Sequence, residues 1–243
     1  MKIATIVKSE LTDPKTYTTH RTKVFYHPEK LFLSDSDKAA VELAVKIAGN
    51  NGQVDLFTLE QGEVGVRVLH EALAMGAASA TEFVGSDPND PANAYLAAEK
   101  VSEYLKDQGY DLILVGDVVG SAPIAAYLAE NLGFNLYENV TRLSPNWEYE
   151  TELDRGQLKG KVQTPAVLTV EANAIEPELP SFPALEAAQK QTIKSVALNL
   201  DTEEASEVVV NQTQHPHVIW NLDEEPDAVE KLVAALRQDG IMK

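Results

Sequence analysis

Cysteine is absent from this 243-residue sequence. Its absence excludes disulfide bonds, thiolate nucleophiles and the cysteine ligands of most structural zinc sites, so any redox chemistry must come from a bound cofactor. The sequence also lacks the run of about 20 apolar residues that a membrane-spanning helix requires. Residues 1–8 are too short and too soon interrupted for a signal peptide, and they are typical of a buried first strand. These features predict a cytoplasmic protein with no membrane insertion.

Positive charge is scarce. The chain has 20 lysine and arginine residues against 38 aspartate and glutamate residues, which gives a formal net charge of −18. Such a field repels nucleic-acid phosphates and anionic lipid, so neither is an expected partner. An acidic surface is also common among soluble proteins, and the charge alone therefore identifies no partner.

The side-chain combinations of common catalytic sites are missing as well. Three histidines lie far apart along the first half of the sequence, at His20, His27 and His70. His215 and His217 could chelate a metal, but the acids near them lie in unpatterned sequence, which favours a surface pair. There is no HExxH or GxSxG motif, and Ser121 has no evident base partner. The sequence therefore predicts no metal site and no stand-alone catalyst.

The first half alternates short β-branched runs with segments of helical period. The apolar runs cover residues 3–8, 54–59, 81–84 and 111–115. The helical segments between and after them centre on residues 41–48, 66–75, 90–105 and 123–132. Strands that alternate with helices pair in parallel through right-handed crossovers. The sequence therefore predicts a doubly wound, mostly parallel α/β sheet with helices on both faces.

The second half follows a different pattern. Residues 147–153 alternate large and acidic side chains, a turn follows, and residues 158–162 return, which predicts an antiparallel hairpin. Residues 165–170 predict one more buried strand, and residues 173–183 an exposed loop rich in proline and glutamate. We expect a nucleotide-binding-like α/β domain over 1–190 and a C-terminal arm over 191–243. The arm has too little core to fold alone and is expected to pack on its own domain or on a partner.

A ligand site is expected where the strand order of the sheet reverses, beyond the carboxyl ends of the strands. The loops to inspect there are 8–13, 33–37, 60–62 and 116–123. In the last of them, glycines would let a backbone approach a phosphate ahead of a helix N-terminus. The loop is neither a P-loop nor a GxGxxG motif, so a turn that binds nothing remains an alternative. Asp35 and Asp37 could form an acid/base pair, although negative charge at a helix N-terminus is the favoured interpretation.

Six strings carry a more specific signal. They are IVKSELTD at 6–13, SDKAAVELA at 36–44, EALAMGA at 71–77, DLILVG at 111–116, TPAVLTV at 164–170 and the spacing from Glu176-Pro177 to Ile193. In their order and spacing they resemble the β-subunit of electron transfer flavoproteins, and the most specific match is EALAMGA. The resemblance extends over nearly the whole chain, including the last helix.

The resemblance implies a heterodimer with an α-like subunit that holds most of a redox FAD, while AMP or a second FAD lies in the β-subunit fold. Such a complex passes electrons between flavin dehydrogenases and an acceptor. The loop 173–183 then corresponds to the loop that docks a dehydrogenase, with Phe182 where the family places an anchoring leucine. Phe182 and Leu185 are the expected docking residues, and the alternative is that Phe182 packs back on its own domain.

The resemblance also implies a set of cofactor-binding positions: Ile6, Lys8, Ser34, Asp37, Glu60, Gly116, Asp117, Gly120, Ser121, Ala122 and Pro123. Several of them depart from the family pattern. The loop after Gly116 is about three residues shorter, Ser34-Asp35 replaces an Asn-Pro pair, and Glu60 replaces a small residue. The family's acidic and glutamine ligand positions read Gly120 and Pro123.

These departures leave two readings of the nucleotide site, in which backbone contacts alone hold the nucleotide or nothing is bound. For the protein, a β-like electron transfer flavoprotein subunit is the first hypothesis. The alternative is a non-redox nucleotide-binding or structural module that kept the fold.

Overall fold

The computed structural model describes residues 1–11, 17–20, 23–85, 91–117, 122–153, 155–200, 218–222 and 224–242. The chain divides into two compact units, Met1–Ser206 and Glu207–Lys243. The strands are β1 (Lys2–Ile6), β2 (Ser9–Leu11), β3 (Tyr17–His20), β4 (Lys23–Tyr26), β5 (Leu31–Leu33), β6 (Gln53–Thr58), β7 (Ser79–Val84), β8 (Leu112–Gly116), β9 (Asn135–Leu143), β10 (Glu148–Leu153), β11 (Gly156–Lys161), β12 (Ala166–Val170) and β13 (Lys194–Ala197). The helices are α1 (Asp35–Ala48), α2 (Gly62–Leu73), α3 (Pro91–Leu105), α4 (Ala122–Leu132), α5 (Phe182–Gln189) and α6 (Ala228–Gln238).

Nine strands of the first unit form one sheet in the order β11-β10-β9-β12-β8-β1-β6-β7-β13. β1 lies between β6 and β8 and is parallel to both. Since the chain runs outward from β1 through β6 and β7 and then returns to β8 on the other side, the strand order reverses at β1. The predicted α/β class with a parallel sheet is confirmed.

Hydrophobic cores cover both faces of this sheet, as alternation along the buried strands requires. Leu112 and Leu114 of β8 belong to one core, which they share with α1 and α2. Ile113 and Val115 belong to the other, which they share with α3 and α4. All four side chains are at most 2% exposed, and each such side chain stabilises the fold by roughly 1.5–3 kcal/mol through burial.

The predicted hairpin is present as β10 and β11, which pair antiparallel from Glu148↔Lys161 to Leu153↔Gly156. β9 was not predicted, because its sequence Asn135–Leu143 is mostly polar and its pairing is interrupted by a register shift. Asn139 lies at that irregularity with φ 53°, a conformation that asparagine tolerates better than most residues.

The chain from the predicted loop into the predicted arm contains a helix, α5, and a strand, β13, that its composition did not indicate. α5 begins at Phe182, inside the predicted loop 173–183, because Ser181 Oγ accepts a hydrogen bond from Ala184 N and Pro183 stands in the first turn. β13 pairs in parallel with β7 at the edge of the large sheet. Residues 194–197 are therefore part of the first unit, and where the arm beyond them packs stays a prediction.

The second unit contains α6, which begins beside Asp227 and is followed by Gly240 with φ 73°. Lys231 pairs with Asp227 at 3.2 Å and with Glu225. Val229 and Leu232 of this helix are 54% and 47% exposed. None of the helices in the described ranges has the length and apolar composition that a membrane span requires.

The close approach of α1 to the end of β8 requires glycine at position 116. A Cβ atom on Gly116 would lie 2.5 Å from Asp37 Oδ1, 2.6 Å from Asp37 N and 2.7 Å from Ser36 C. The first turn of α1 therefore crosses β8 at a distance that glycine permits and alanine does not.

Gly116→Ala should lower the free energy of unfolding by about 1–3 kcal/mol, because backbone atoms of α1 must move to admit the methyl group. Urea denaturation measures the loss. Gly109→Ala is the matched control, since Gly109 has φ 72° with no atom near its added Cβ, and its loss of about 1 kcal/mol reports backbone strain alone. A loss below about 1 kcal/mol in Gly116→Ala would contradict the close approach.

Candidate functional site

The loops that sequence reasoning placed at the strand-order reversal do meet there. Ser34 N donates to Lys8 O at 3.2 Å, which joins the segment before α1 to the end of β1. Val7 N donates to Phe57 O at 2.8 Å, which joins the end of β1 to β6. The carboxyl ends of β1, β6 and β8 and the start of α1 therefore form one edge, which we call the switch edge.

The Asp37 carboxylate lies at the centre of the switch edge. Its Oδ2 accepts from Lys8 N at 3.0 Å and from Ser34 Oγ at 2.7 Å, and its Oδ1 accepts from Gly116 N at 3.0 Å. Its own backbone N–H donates to Ser34 Oγ at 3.0 Å, so the pair also caps α1. Burial raises the pKa of Asp37 to about 6, although the bonds from Ser34, Lys8 and Gly116 favour the carboxylate.

A second carboxylate of the switch edge belongs to Glu60, in the loop after β6. Its Oε2 accepts from Ser9 N at 2.9 Å and its Oε1 accepts from Ser9 Oγ at 2.6 Å. Glu60 N donates in turn to Thr58 Oγ1 at 3.2 Å, which holds the loop against the end of β6. Both donors of Ser9 are thus directed to this single side chain.

The N-terminus of α2 is satisfied from within the chain as well. Gly62 N donates to Glu82 Oε1 at 2.6 Å, and Glu82 is a buried residue of β7. A helix N-terminus carries partial positive charge, which the Glu82 carboxylate offsets. Gly65 lets the helix start lie close to this loop, because a Cβ there would come within 2.2 Å of Glu60 O.

Lys8 brings positive charge into this acidic group. Its burial lowers the pKa of the ammonium, and the negative charges of Asp37, Glu10, Glu60 and Asp117 act in the opposite direction. The field at the switch edge is therefore set by four carboxylates around one lysine.

Asp117, on the switch edge after β8, forms a carboxyl pair with Glu171, which follows β12. Burial raises the pKa of Glu171, and the charge of Asp117 and a hydrogen bond with it act in the same direction. Asp117 is held by its N–H, which donates to Val170 O at 2.8 Å. Glu171 also lines an open cavity of about 890 Å³. Other residues that line this cavity are Asn139, Thr141, Glu152, Arg155 and Asn173.

The structure brings together many of the predicted cofactor-binding positions. Ile6, Lys8, Ser34, Asp37, Glu60, Gly116 and Asp117 all lie on the switch edge. Ala122 and Pro123 begin α4, whereas Gly120 and Ser121 lie outside the described residues. Whether these positions hold a nucleotide stays a prediction.

Sequence reasoning missed Ser9 and Glu82, which supply a donor and an acceptor at the switch edge. A signal for Glu82 was present, since a glutamate between Thr81 and Phe83 places a charge inside a strand that is otherwise buried. Buried charges require partners, and the partner is the N-terminus of α2. Ser9 carried no such signal.

The expected docking residues, Phe182 and Leu185, both lie on α5. The Phe182 ring is 78% exposed, so it does not pack back on its own unit, and Leu179 is 94% exposed. Leu185 is half-buried, and its N–H donates to Ser181 O at 3.0 Å. The docking role of these residues stays a prediction.

No group of three or more metal-ligating side chains converges within the described ranges. His215 and His217, the pair considered for a metal, lie outside those ranges. His70 Nε2 lies 3.4 Å from Gln191 O, a contact within one unit that needs no metal.

Comparison with known proteins points to one family. The profile of the electron transfer flavoprotein domain matches residues 24–201. The chain is 31% identical over 182 residues to the electron transfer flavoprotein subunit beta of Bacillus subtilis (strain 168), which covers 71% of each chain. It is 26% identical over 174 residues to the subunit beta of Syntrophomonas wolfei, covering 69% of this chain and 68% of that protein. For the Mycobacterium tuberculosis (strain H37Rv) protein of the same name, the identity is 29% over 184 residues, with 68% and 66% covered.

The buried Asp37 carboxyl makes stability depend on pH. Its pKa in the fold, about 6, lies above the ordinary 3.8, so the fold binds this proton more tightly than the unfolded chain does. The resulting stability is present below about pH 4 and is lost as pH rises through about 6. From pH 4 to 7 the wild type should therefore lose roughly 2–2.5 kcal/mol relative to Asp37→Asn, which keeps the size of the side chain and cannot ionise.

Urea denaturation at a series of pH values measures this difference. Asp35→Asn is the matched control, because Asp35 lies in the same helical turn with an exposed side chain, and its profile should follow that of the wild type. Parallel profiles for Asp37→Asn and the wild type would contradict the raised pKa.

Proposed function

The chain belongs to the electron transfer flavoprotein β-subunit family, and from this membership we propose that it forms a heterodimer with an α-like subunit. The heterodimer carries electrons from a flavin dehydrogenase to an acceptor by way of FAD, which the α-like subunit holds for the most part. The chain is thus a β-like subunit of an electron carrier. It has no cysteine, and FAD supplies the redox chemistry when it is bound.

One observation carries this proposal. The family match extends from residue 24 to residue 201 and so includes Asp37, Glu60 and Gly116 of the switch edge and the loop 173–183. The alternative, a non-redox nucleotide-binding or structural module, is not favoured, because the relatives compared are each named as electron transfer flavoprotein subunit beta. The cytoplasmic location predicted from the sequence goes with this proposal.

Two surfaces support the assignment of partners. The exposed apolar side chains of α6 have the character of a face that another chain covers, which fits an arm that packs on the α-like subunit. Leu179 and Phe182 stand on either side of Pro180 and Ser181, with little cover from their own unit. A single apolar side chain in a partner's pocket can dominate a transient interface, so this loop suits the docking of a flavin dehydrogenase.

Co-expression tests the heterodimer. A tag on this chain should co-purify the α-like subunit of the same organism, and the complex should be yellow with roughly one FAD, as a visible spectrum and the released flavin would show. The chain expressed alone serves as the control and should be colourless. A colourless chain that does not bind the α-like subunit would refute the proposal.

The docking loop is tested with Phe182→Ala in the co-expressed heterodimer. Loss of an anchoring ring costs roughly 2 kcal/mol or more, so the KM of a flavin dehydrogenase for the heterodimer should rise by about 30-fold. The FAD content and the spectrum should not change, because Phe182 is exposed and distant in sequence from the switch edge. The assay follows reduction of the bound flavin by a dehydrogenase that reduces the wild-type complex.

Phe25→Ala is the matched control for this experiment. Phe25 is also an exposed ring, at 55%, but it lies on β4 outside the docking loop. Its KM should stay at the wild-type value. A KM that is unchanged in Phe182→Ala, or that rises equally in both variants, would contradict docking through Phe182.

A further inference from the structure

The family resemblance implies a nucleotide, AMP or a second FAD, in the β-subunit fold, and the switch edge is where a doubly wound sheet would hold it. Phosphate groups at such an edge are bound by backbone N–H groups at strand ends and helix N-termini. Whether a nucleotide fits therefore depends on which of these donors remain available and on the charge around them.

Four backbone donors of the described switch edge already have acceptors within the chain. Lys8 N and Gly116 N donate to Asp37, at 3.0 Å each. Ser9 N donates to Glu60 at 2.9 Å, and Gly62 N donates to Glu82 at 2.6 Å. Every one of these four acceptors is a carboxylate oxygen, and hydrogen bonds of this charge-assisted kind are among the stronger ones in proteins.

The negative charge of these carboxylates also opposes the binding of a nucleotide, whose phosphate is negative as well. Asp37, Glu60, Glu10 and Asp117 all act on Lys8, whose positive charge they offset. A nucleotide phosphate would have to enter among these carboxylates and displace one of them from its donors. The described residues of the switch edge therefore do not fit a nucleotide phosphate.

Two of these carboxylates have different roles. Asp37 is 1% exposed and caps α1, so the fold requires it whether or not a ligand binds. Glu60 is only half-buried, lies in the loop after β6, and holds both donors of Ser9 by itself. It also stands where the family sequence has a small residue. Glu60 is thus the side chain that could be removed from the edge without loss of a helix cap.

We propose that Glu60 closes the switch edge by holding Ser9 N and Oγ, so that this chain binds no adenine nucleotide and the heterodimer carries FAD alone. The second clause rests on the proposed function, whereas the first concerns this chain by itself. The carboxylate takes the donors that a nucleotide would need and adds a negative charge at the same place.

The first test measures nucleotides in the wild type. The purified heterodimer is denatured, its released nucleotides are separated and quantified, and equilibrium dialysis against labelled AMP is carried out on the heterodimer and on the full chain alone. We expect FAD from the heterodimer, no AMP above background, and no AMP binding in dialysis. Release of AMP in amounts comparable to FAD, or saturable AMP binding by the wild type, would overturn the inference.

The two proposals fail in distinguishable ways. Absence of FAD and of the α-like subunit would refute the proposed function, while the dialysis of the chain alone would still test closure by Glu60. Presence of both FAD and AMP would refute closure and leave the electron-transfer function intact.

The second test opens the edge. Glu60→Ala frees the Ser9 donors and removes a charge, so saturable AMP binding should appear, at least roughly tenfold tighter than the detection limit that the wild type fails to reach. Glu63→Ala is the matched control, because Glu63 is an exposed glutamate in the first turn of α2, and it should leave AMP affinity unchanged. Glu60→Gln keeps the shape and removes only the charge, so it provides a second variant if alanine destabilises the loop.

A thermal melt establishes that each variant is folded before binding is measured. If folded Glu60→Ala and Glu60→Gln both fail to gain AMP affinity, Glu60 is not the residue that closes the edge. An equal gain in Glu63→Ala would also overturn the inference, because it would show that any reduction of negative charge is sufficient.

Discussion

The carboxylate of Asp37 is the interaction on which the rest of the structure depends. It joins the end of β1 through Lys8 N, the end of β8 through Gly116 N and the start of α1 through Ser34. β1 and β8 are the neighbouring strands at which the sheet reverses its order, so this one side chain fixes both halves of the doubly wound fold. The absence of a side chain at Gly116 is what allows the helix to come close enough.

Elsewhere on the switch edge, backbone donors are likewise hydrogen-bonded to carboxylates of the chain itself. Glu60 and Glu82 repeat the arrangement at Ser9 and at the N-terminus of α2, so carboxylates from the chain occupy positions at which other doubly wound proteins bind phosphate. The proposed closure of the nucleotide site by Glu60 is therefore compatible with the family fold. Under the proposed function, in which FAD lies mostly in the α-like subunit, such closure would leave electron transfer unaffected.

Much of this architecture could be predicted from the sequence, and the exceptions have physical causes. Buried strands such as β8 carry uninterrupted apolar runs, from which the parallel sheet could be predicted. β9 and β13 could not be predicted, because their polar residues are set by pairing with distant strands rather than by local pattern. The resemblance to electron transfer flavoprotein β-subunits predicted most residues of the switch edge, including Asp37 and Glu60. It could not show that Ser9 is the partner of Glu60, since 51 residues separate the two in the chain.

Amide hydrogen exchange in the wild-type heterodimer tests most directly whether the backbone N–H groups of the switch edge are hydrogen-bonded to carboxylates of the chain itself. The amides of Lys8, Ser9, Gly62 and Gly116 are the ones to follow, with and without AMP. The account predicts slow exchange at all four in the absence of AMP and no change when AMP is added. Fast exchange that becomes slow on addition of AMP would contradict it, because it would show that the donors are available and that a nucleotide takes them.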